Sequence, residues 1–386
     1  MDEKKDVRKD YLKLKILKQR KYQQINSQLN SIQPLSGGDI DEVARLSQIY
    51  FPASHNIALE TLKESIKQLY FTDDTLNSDC GSLVNRGEDG SVNGFLGVIT
   101  KSFLYKKKII KVANCHHLMT TEEARKKLIP MRMLQKFLSG PQTLSFADNS
   151  SESTHLLWKR LGGEAAIGES ISYKIPLRPV SFMVRPFLKK LRKPVKMMAS
   201  IFAKGTDIVA GKIRVPMFYR RKSDVEMISL HPQLLLKSLD KVSSRYLLFP
   251  HYNLAKIEHL FHLLGREKRY GTLHKLAILD KNKEVIGWFI YYSLKGGICE
   301  VIQAVCHPGK ETVLYDALTW HAYDQGGIEL SGRLMVNQLR SPFALKAVSM
   351  PARSWTLFHC SDPELMLNIQ TGKAFLTRME GDLWLI

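Results

Sequence analysis

Apolar and polar positions change period along the chain, and those changes lay out its elements. Residues 31–35 read as a first strand, and Ile40, Val43, Ala44 and Leu46 recur at helical spacing until Phe51 and Pro52 end the run. A second helix is predicted over 59–70. Two short apolar stretches, 82–84 and 92–100, flank Gly87-Glu-Asp-Gly90, whose Asp-Gly step is a strong hairpin signal. A strand over 109–118 leads to Thr121 followed by Glu122 and Glu123, an N-cap with an acidic first turn, so a helix runs from there to 138. Ser139, Gly140 and Pro141 stop it. A strand over 144–147, a helix over 154–161 closed by Gly162 and Gly163, and a last strand over 170–175 complete the order β-α-α-β-β-β-α-β-α-β.

The second half repeats this order. It reads as a strand at 227–230, helices at 232–239 and 253–264, a hairpin of 276–279 with 285–292, and a strand at 298–306. A helix at 310–323, a strand at 328–330, a helix at 362–369 and a closing strand at 374–379 follow. Asp89, Gly90 and Gly94 in one hairpin match Asn282 and Gly287 in the other, a repeat at about 190 residues. Such a period means domain duplication. The 386 residues suit two cores. The expected division is a basic tail over 1–30, a first domain over 31–178, a linker over 179–222 and a second domain over 223–386.

Charge sharpens that division. The formal net charge is +20, yet residues 1–30 contribute nine Lys/Arg against four Asp/Glu, and residues 181–222 contribute twelve against Asp207 alone. The two segments carry +16, so the domains are close to neutral and the basicity points to an electrostatic contact made by tail and linker. Nucleic acid is not the favoured partner. Within the linker, Val184, Phe187, Leu188, Leu191, Val195, Met198 and Phe202 fall on one helical face among lysines, with Pro186 and Pro194 dividing it into two pieces. That face either packs between the domains or meets an anionic membrane surface, or an acidic acyl carrier protein docks there. No apolar run reaches the roughly 20 residues of a spanning helix, and the N-terminal residues lack the apolar core of a secretory signal, so the expected location is cytoplasmic, with membrane contact only peripheral. The five cysteines are odd in number and scattered; neither Cys299, Cys306 and His307 nor Cys115, His116 and His117 have zinc-site spacing, so no metal is expected.

The segments 94–97, 109–118, 120–125, 134–138 and 144–148, together with Leu157, Leu161, Gly162 and Gly163, resemble the successive strand and helix motifs of the GNAT N-acetyltransferase superfamily. The resemblance covers about 31–178; Gly287, Trp288, Gln303, Arg333 and Gly372 look like parts of a more divergent second copy. It implies an α/β (α+β) fold of two GNAT-like domains, each a mixed, mostly antiparallel sheet flanked by helices. It also implies an acyltransferase moving an acyl group from a thioester, acyl-CoA or an acyl carrier protein, to an amine or hydroxyl of a small-molecule, lipid or polysaccharide-precursor acceptor. The alternative is a non-catalytic tandem fold that binds a ligand or assembles with an enzyme.

The family's pyrophosphate loop reads [R/Q]-x-x-G-x-[G/A]. Here the matching positions are Arg125, Lys126, Lys127, Leu128, Ile129 and Pro130, so Arg125, Lys126 and Lys127 would hold phosphates by charge rather than by a glycine cradle. The family's acidic Tyr corresponds to Trp158, a poor proton donor. A base for the acceptor is then sought near the splayed strands: His116, His117 and Asp148 in the first copy, and Glu300, Gln303 and His321 in the second.

Overall fold

A computed structural model describes residues 31–51, 54–71, 79–188, 191–213, 222–338, 348–350 and 354–381. The basic tail over 1–30 and part of the linker lie outside the described residues. The first half forms β1 (Ile32–Pro34), α1 (Ile40–Tyr50), α2 (Leu59–Tyr70), β2 (Leu83–Arg86), β3 (Val92–Tyr105) and β4 (Lys108–Thr120). It continues through α3 (Glu122–Lys126), α4 (Ile129–Leu138), β5 (Leu144–Ser150), α5 (Glu152–Arg160), β6 (Glu164–Ala165) and β7 (Ser172–Pro176). Thr121 caps α3 as expected, its hydroxyl accepting from the Ala124 amide at 3.3 Å. The single helix expected over 121–138 is broken instead, because Leu128 adopts a left-handed conformation (φ 57°) at the start of α4. Val43, Leu62 and Ile66 of α1 and α2 cover Val84, Phe95 and Met119 on one face of the sheet. Met133, Phe137 and Trp158 of α4 and α5 cover Leu96, Val98 and Ala113 on the other.

Two helices follow, α6 (Pro179–Leu188) and α7 (Lys193–Lys212). The second half then gives β8 (Met227–Ser229), α8 (Pro232–Ser243), β9 (Leu248–Pro250), α9 (Leu254–Arg266), β10 (Thr272–Leu279), β11 (Val285–Ser293) and β12 (Ile298–Cys306). It ends in α10 (Glu311–Asp324), β13 (Glu329–Arg333), β14 (Val348–Met350), β15 (Trp355–His359) and α11 (Pro363–Gln370). Trp288, Ile290 and Tyr292 of β11 pack beneath α8 and α9, while Phe289 and Tyr291 pack beneath α10, so β11 is buried on both faces.

The sheets do not coincide with the halves of the sequence. The first sheet runs β1-β2-β3-β4-β5-β15-β6, with β9 on β3, and the second runs β14-β7-β13-β12-β11-β10-β8. Thus β15, from the second half, lies between β5 and β6, and β7, from the first half, lies between β13 and β14. The exchange is reciprocal, and it extends to the cores. Tyr173 and Leu177 are fully buried in the second core, while Phe358, Leu365 and Ile369 pack on Phe103, Val112 and Phe146 of the first sheet. The sequence reading therefore needs three corrections. The strand at the end of the first half belongs to the second sheet; β6, β9, β14 and β15 were not anticipated; and 374–379, read as a closing strand, makes only one bridge among the described residues, Ala374 to Leu248. Its apolar residues plug cores instead: Leu376 fills the first, Phe375 and Met379 the second.

Each sheet contains one parallel pair whose strands part. In the first, β4 and β5 pair from Val112 with Leu144 to Asn114 with Phe146; in the second, β12 and β13 pair from Ile298 with Glu329 to Glu300 with Ser331. Beyond these rungs each longer strand carries an extra residue, marked at His117 by φ 48° in β4 and by the register shift opposite Ile290 and Tyr291 in β12. The exchange predicts that 31–178 and 179–386, expressed separately, each lack a cooperative thermal transition, whereas the whole chain unfolds in one step. Calorimetry of the three proteins checks this, and an independent transition in either fragment would contradict it.

Candidate functional site

The two parting points meet at one joint. Asp148 lies two residues beyond the last rung on β5, Arg333 lies two beyond it on β13, and these equivalent side chains form an ion pair across the joint. Thr356, at the head of the exchanged β15, donates to the Asp148 carboxylate (3.1 Å), and its amide donates to the Ser170 hydroxyl (3.0 Å) just before β7. Arg378 pairs with Glu300 at 3.0 Å and also donates to the Val301 carbonyl. These groups line a polar cavity of about 180 Å³. Beneath it Glu169 is fully buried. Desolvation pushes its carboxyl up to about 8, with Asp148 adding to the rise and Arg333 opposing it.

A larger groove of about 400 Å³ opens on the other side of residues 377–381. Arg378 lines the polar cavity, and its neighbour Met379 lines the groove. The remaining walls are α2 (Gln68, Leu69), β3 (residues 99–103), residues 250–253 and one face of α9. That face presents Ala255, Lys256, His259, Leu260 and Leu263, the spacing of successive helical turns. Lys101 on β3 donates to the Glu380 carbonyl at 2.6 Å, and Asn114 donates to the same oxygen at 3.4 Å. Asn114 belongs to the last rung before β4 and β5 part, so the Glu380 carbonyl links Lys101 on the groove wall to that parting point. The Tyr252 hydroxyl donates to the buried Glu380 carboxylate at 2.6 Å, and the Thr377 amide holds the other oxygen at 2.7 Å. Burial raises Glu380 above the usual carboxylate range and holds Tyr252 well above the usual tyrosine value. His259 is displaced downward, by desolvation first and by His262 second, so its ring is neutral near pH 7. Among the described residues lining the groove there is no Asp or Glu, and Lys101 and Lys256 make it positive.

The residues singled out in the sequence fall into three groups. Asp148 and Glu300 come together in the polar cavity, each already paired with an arginine. His116 and His117 are buried on β4 and line neither opening. The Tyr70 hydroxyl, which passes over Gly97 where no side chain could fit, lies 2.6 Å from His117 Nδ1, and Phe51 meets the same ring edge-on at 5.0 Å. His117 thus clamps α2 to the sheet. Arg125, Lys126 and Lys127 also lie outside both openings. Arg125 covers the Tyr50 ring at 5.0 Å, Lys126 reaches Glu122 at 3.7 Å and Lys127 reaches Glu88 at 3.3 Å.

Gln303 accepts from Trp288 Nε1 at 2.7 Å, and the Tyr291 hydroxyl lies 2.5 Å from His321 Nδ1. Trp158 is completely buried and its Nε1 has no hydrogen-bond partner among the described residues. Glu169, Lys101, Tyr252, His259, Arg378 and Glu380 were not singled out; the contacts of 377–381 with both halves reveal Lys101, Tyr252, Arg378 and Glu380, the groove lining reveals His259, and burial beneath the joint reveals Glu169. No metal-holding cluster occurs among the described residues.

No protein-family profile and no curated protein matches the sequence. Solved structures do. A GCN5-related N-acetyltransferase from Anabaena variabilis aligns at TM-score 0.53 and 12% identity over 86% of this chain and 72% of its own. A probable N-acyltransferase from Enterococcus faecalis aligns at 0.52 and 10% over 85% and 71%. A GCN5-related N-acetyltransferase from Kribbella flavida aligns at 0.50 and 11% over 84% and 70%. The likeness is one of fold, and the chain has a tandem GNAT-like fold.

The joint gives two predictions. Arg333→Met leaves the Asp148 charge buried without its partner and should cost about 3–5 kcal/mol in urea unfolding; an unchanged midpoint would contradict the role assigned to the pair. Glu169 has a folded pKa above its unfolded value, so its contribution is fully present below about pH 4.5 and is lost as pH rises through about 8. Relative to wild type, Glu169→Gln should gain stability from pH 5 to pH 9, by up to about 5 kcal/mol. Parallel pH profiles for the two proteins would count against the shift.

Proposed function

We propose that the chain transfers an acyl group from a thioester to an amine or hydroxyl acceptor, with the reaction in the groove between α2, β3 and α9. The observation that carries this reading is the neutral ring of His259 on the wall of a groove whose Lys101 shares the Glu380 carbonyl with Asn114, at the parting point of β4 and β5. His259 takes the proton of the acceptor as its nitrogen or oxygen attacks the thioester carbonyl; the carbon–sulfur bond breaks and the thiolate departs. Tyr252, kept protonated, orients the acceptor through its hydroxyl oxygen while donating to Glu380. Lys101 and Lys256 favour anionic groups on a substrate, such as a phosphate or carboxylate. The apolar walls, Leu69, Ile99, Phe103, Leu260 and Leu263, suit a hydrocarbon segment.

The start of α4 does not fit a nucleotide pyrophosphate in the way the family's glycines do. Leu128 occupies the left-handed position and is more than half exposed, and the amides of Lys127 and Leu128 donate to Glu123 and Arg125 carbonyls. That observation favours a second reading in which the fold binds a ligand without turnover. It also favours, within the first reading, a thioester carried on a protein over one carried on a nucleotide.

Thiol release from acetyl-, medium- and long-chain acyl-CoA and from acyl carrier protein tests the proposal. The expected result is turnover with at least one donor, lowered about 10²–10⁴-fold by His259→Ala. The acid limb of its pH profile should lie below the usual histidine value. His259 is exposed, so this variant should keep the wild-type melting temperature. A donor at 100 times its dissociation constant should stabilise the protein by about 2.7 kcal/mol. Stabilisation without thiol release would establish the binding-only reading, and neither response with any thioester would overturn both.

A further inference from the structure

The helices between the two halves pack in an unusual sense. The side of α7 turned toward the protein carries small residues, with Ala203 and Asp207 buried and Ala199, Ser200 and Ala210 partly so. Its outward side carries the large apolar ones. Phe202 is 75% exposed, Met198 70% and Ile201 63%, and Val195, Met197, Ile208 and Val209 are exposed as well. At about 100° per residue these seven fall within roughly 160° of arc. On α6, Met183 and Phe187 are exposed in the same way. A helix that buries alanine and presents phenylalanine is not using its apolar face to join two domains.

The hairpin is nevertheless built firmly. The Asp207 carboxylate accepts from the Val180 and Ser181 amides at 3.0 and 2.9 Å, capping the start of α6 from the middle of α7. Arg185 of α6 and Lys174 of β7 both reach the buried Glu329 carboxylate at the start of β13, at 3.3 and 3.0 Å. Arg178 donates to the Tyr323 carbonyl at 2.9 Å and stacks on the Tyr323 ring.

We propose that the α6–α7 hairpin is a membrane-docking element that lies flat in the interface of an anionic lipid bilayer. Charge chooses this occupant. Residues 179–213 hold eight Lys/Arg, and their one acid, Asp207, is buried as the cap. Lys193 and Lys204 stand beside the apolar arc rather than within it, where their stems can lie along the acyl chains while the ammonium groups reach lipid phosphates. A second copy of the chain would set this cationic surface against itself. An acidic carrier protein would leave a broad arc of Phe, Ile and Met facing a charged helix. Among the described residues no helix is long and apolar enough to cross a membrane, so the contact is interfacial.

Flotation of the full chain with phosphatidylcholine vesicles, with and without phosphatidylglycerol, tests the proposal. The expected result is binding to the anionic vesicles that weakens as salt rises and falls at least about tenfold for Ile201→Asp with Phe202→Asp. Lys193→Glu with Lys204→Glu, at exposed positions flanking the arc, should weaken it in the same direction. In Phe202→Trp, vesicles should shift the indole emission to the blue. Melting curves should stay near wild type because the altered residues make no buried contact. The proposal is overturned by no binding to anionic vesicles, by an unmoved indole emission, or by equal binding of wild type and both double variants. A wild-type dimer that the aspartate variant dissociates, with vesicle binding unchanged, would assign the face to a second copy instead.

Discussion

Everything in this fold turns on the ion pair between Asp148 and Arg333, because it stands where two sheets, two parting points and two exchanged strands come together. An isolated buried charge is expensive, and a buried pair stabilises only when its remaining hydrogen-bonding capacity is met. Here it is met from both halves: Thr356 of β15 donates to Asp148, and the Asn149 amide also donates to it at 2.9 Å. Gly381 passes so close to the Asp148 carboxylate that a side chain there would collide with it. The pair therefore specifies an arrangement as well as holding one. Neither half completes its sheet without the strand lent by the other, and the pair stands where those strands meet.

Much of the fold was legible because duplication and periodicity are local signals. The hairpin of β2 and β3 around Asp89 and Gly90, the Thr121 cap and the alternation in β10 and β11 are each set by residues near one another in sequence. The exchange of β7 and β15 was not legible, because a short strand carries the same pattern whichever sheet it joins. The residues 374–379 show the same limit. An apolar run of that length reads as a strand, yet its side chains point into two different cores and its backbone pairs only at Ala374. Site residues followed this division. Asp148 and Glu300 could be named from their positions at strand ends, whereas Arg378, Met379 and Glu380 acquire meaning only from the strands they happen to bridge.

The histidines show why residue type is weak evidence of role. His117 lies at the bulge of β4, beyond the parting point, and carries the chemistry expected of a base. Its environment gives it different work: the Tyr70 hydroxyl, held over Gly97, and the Phe51 edge fix it as a wedge between sheet and helix. His259 lies on a helix that sequence alone marks only as amphipathic. It faces an open groove, its neighbours carry no negative charge into that groove, and partial burial keeps its ring neutral. A proton acceptor needs access and a free lone pair at working pH, and His259, as the base proposed above, would have both.

The same economy separates location from chemistry along the chain. The tail and linker hold +16 of the net +20, so the remainder of the chain with its two openings is nearly neutral, and the proposed attraction to an anionic surface would act through the linker rather than around the groove. The two regions are nevertheless joined by a single strand. Glu329, which anchors the α6–α7 hairpin through Arg185 and Lys174, begins β13, and Arg333, which closes the joint, ends it. Five residues of strand span about 13 Å between end residues. If the hairpin docks as proposed, the strand that holds it also positions the joint, and docking would set the height and tilt of both openings above the lipid. For an acceptor or acyl chain that itself resides in the bilayer, that fixed geometry converts a search through three dimensions into one along a surface.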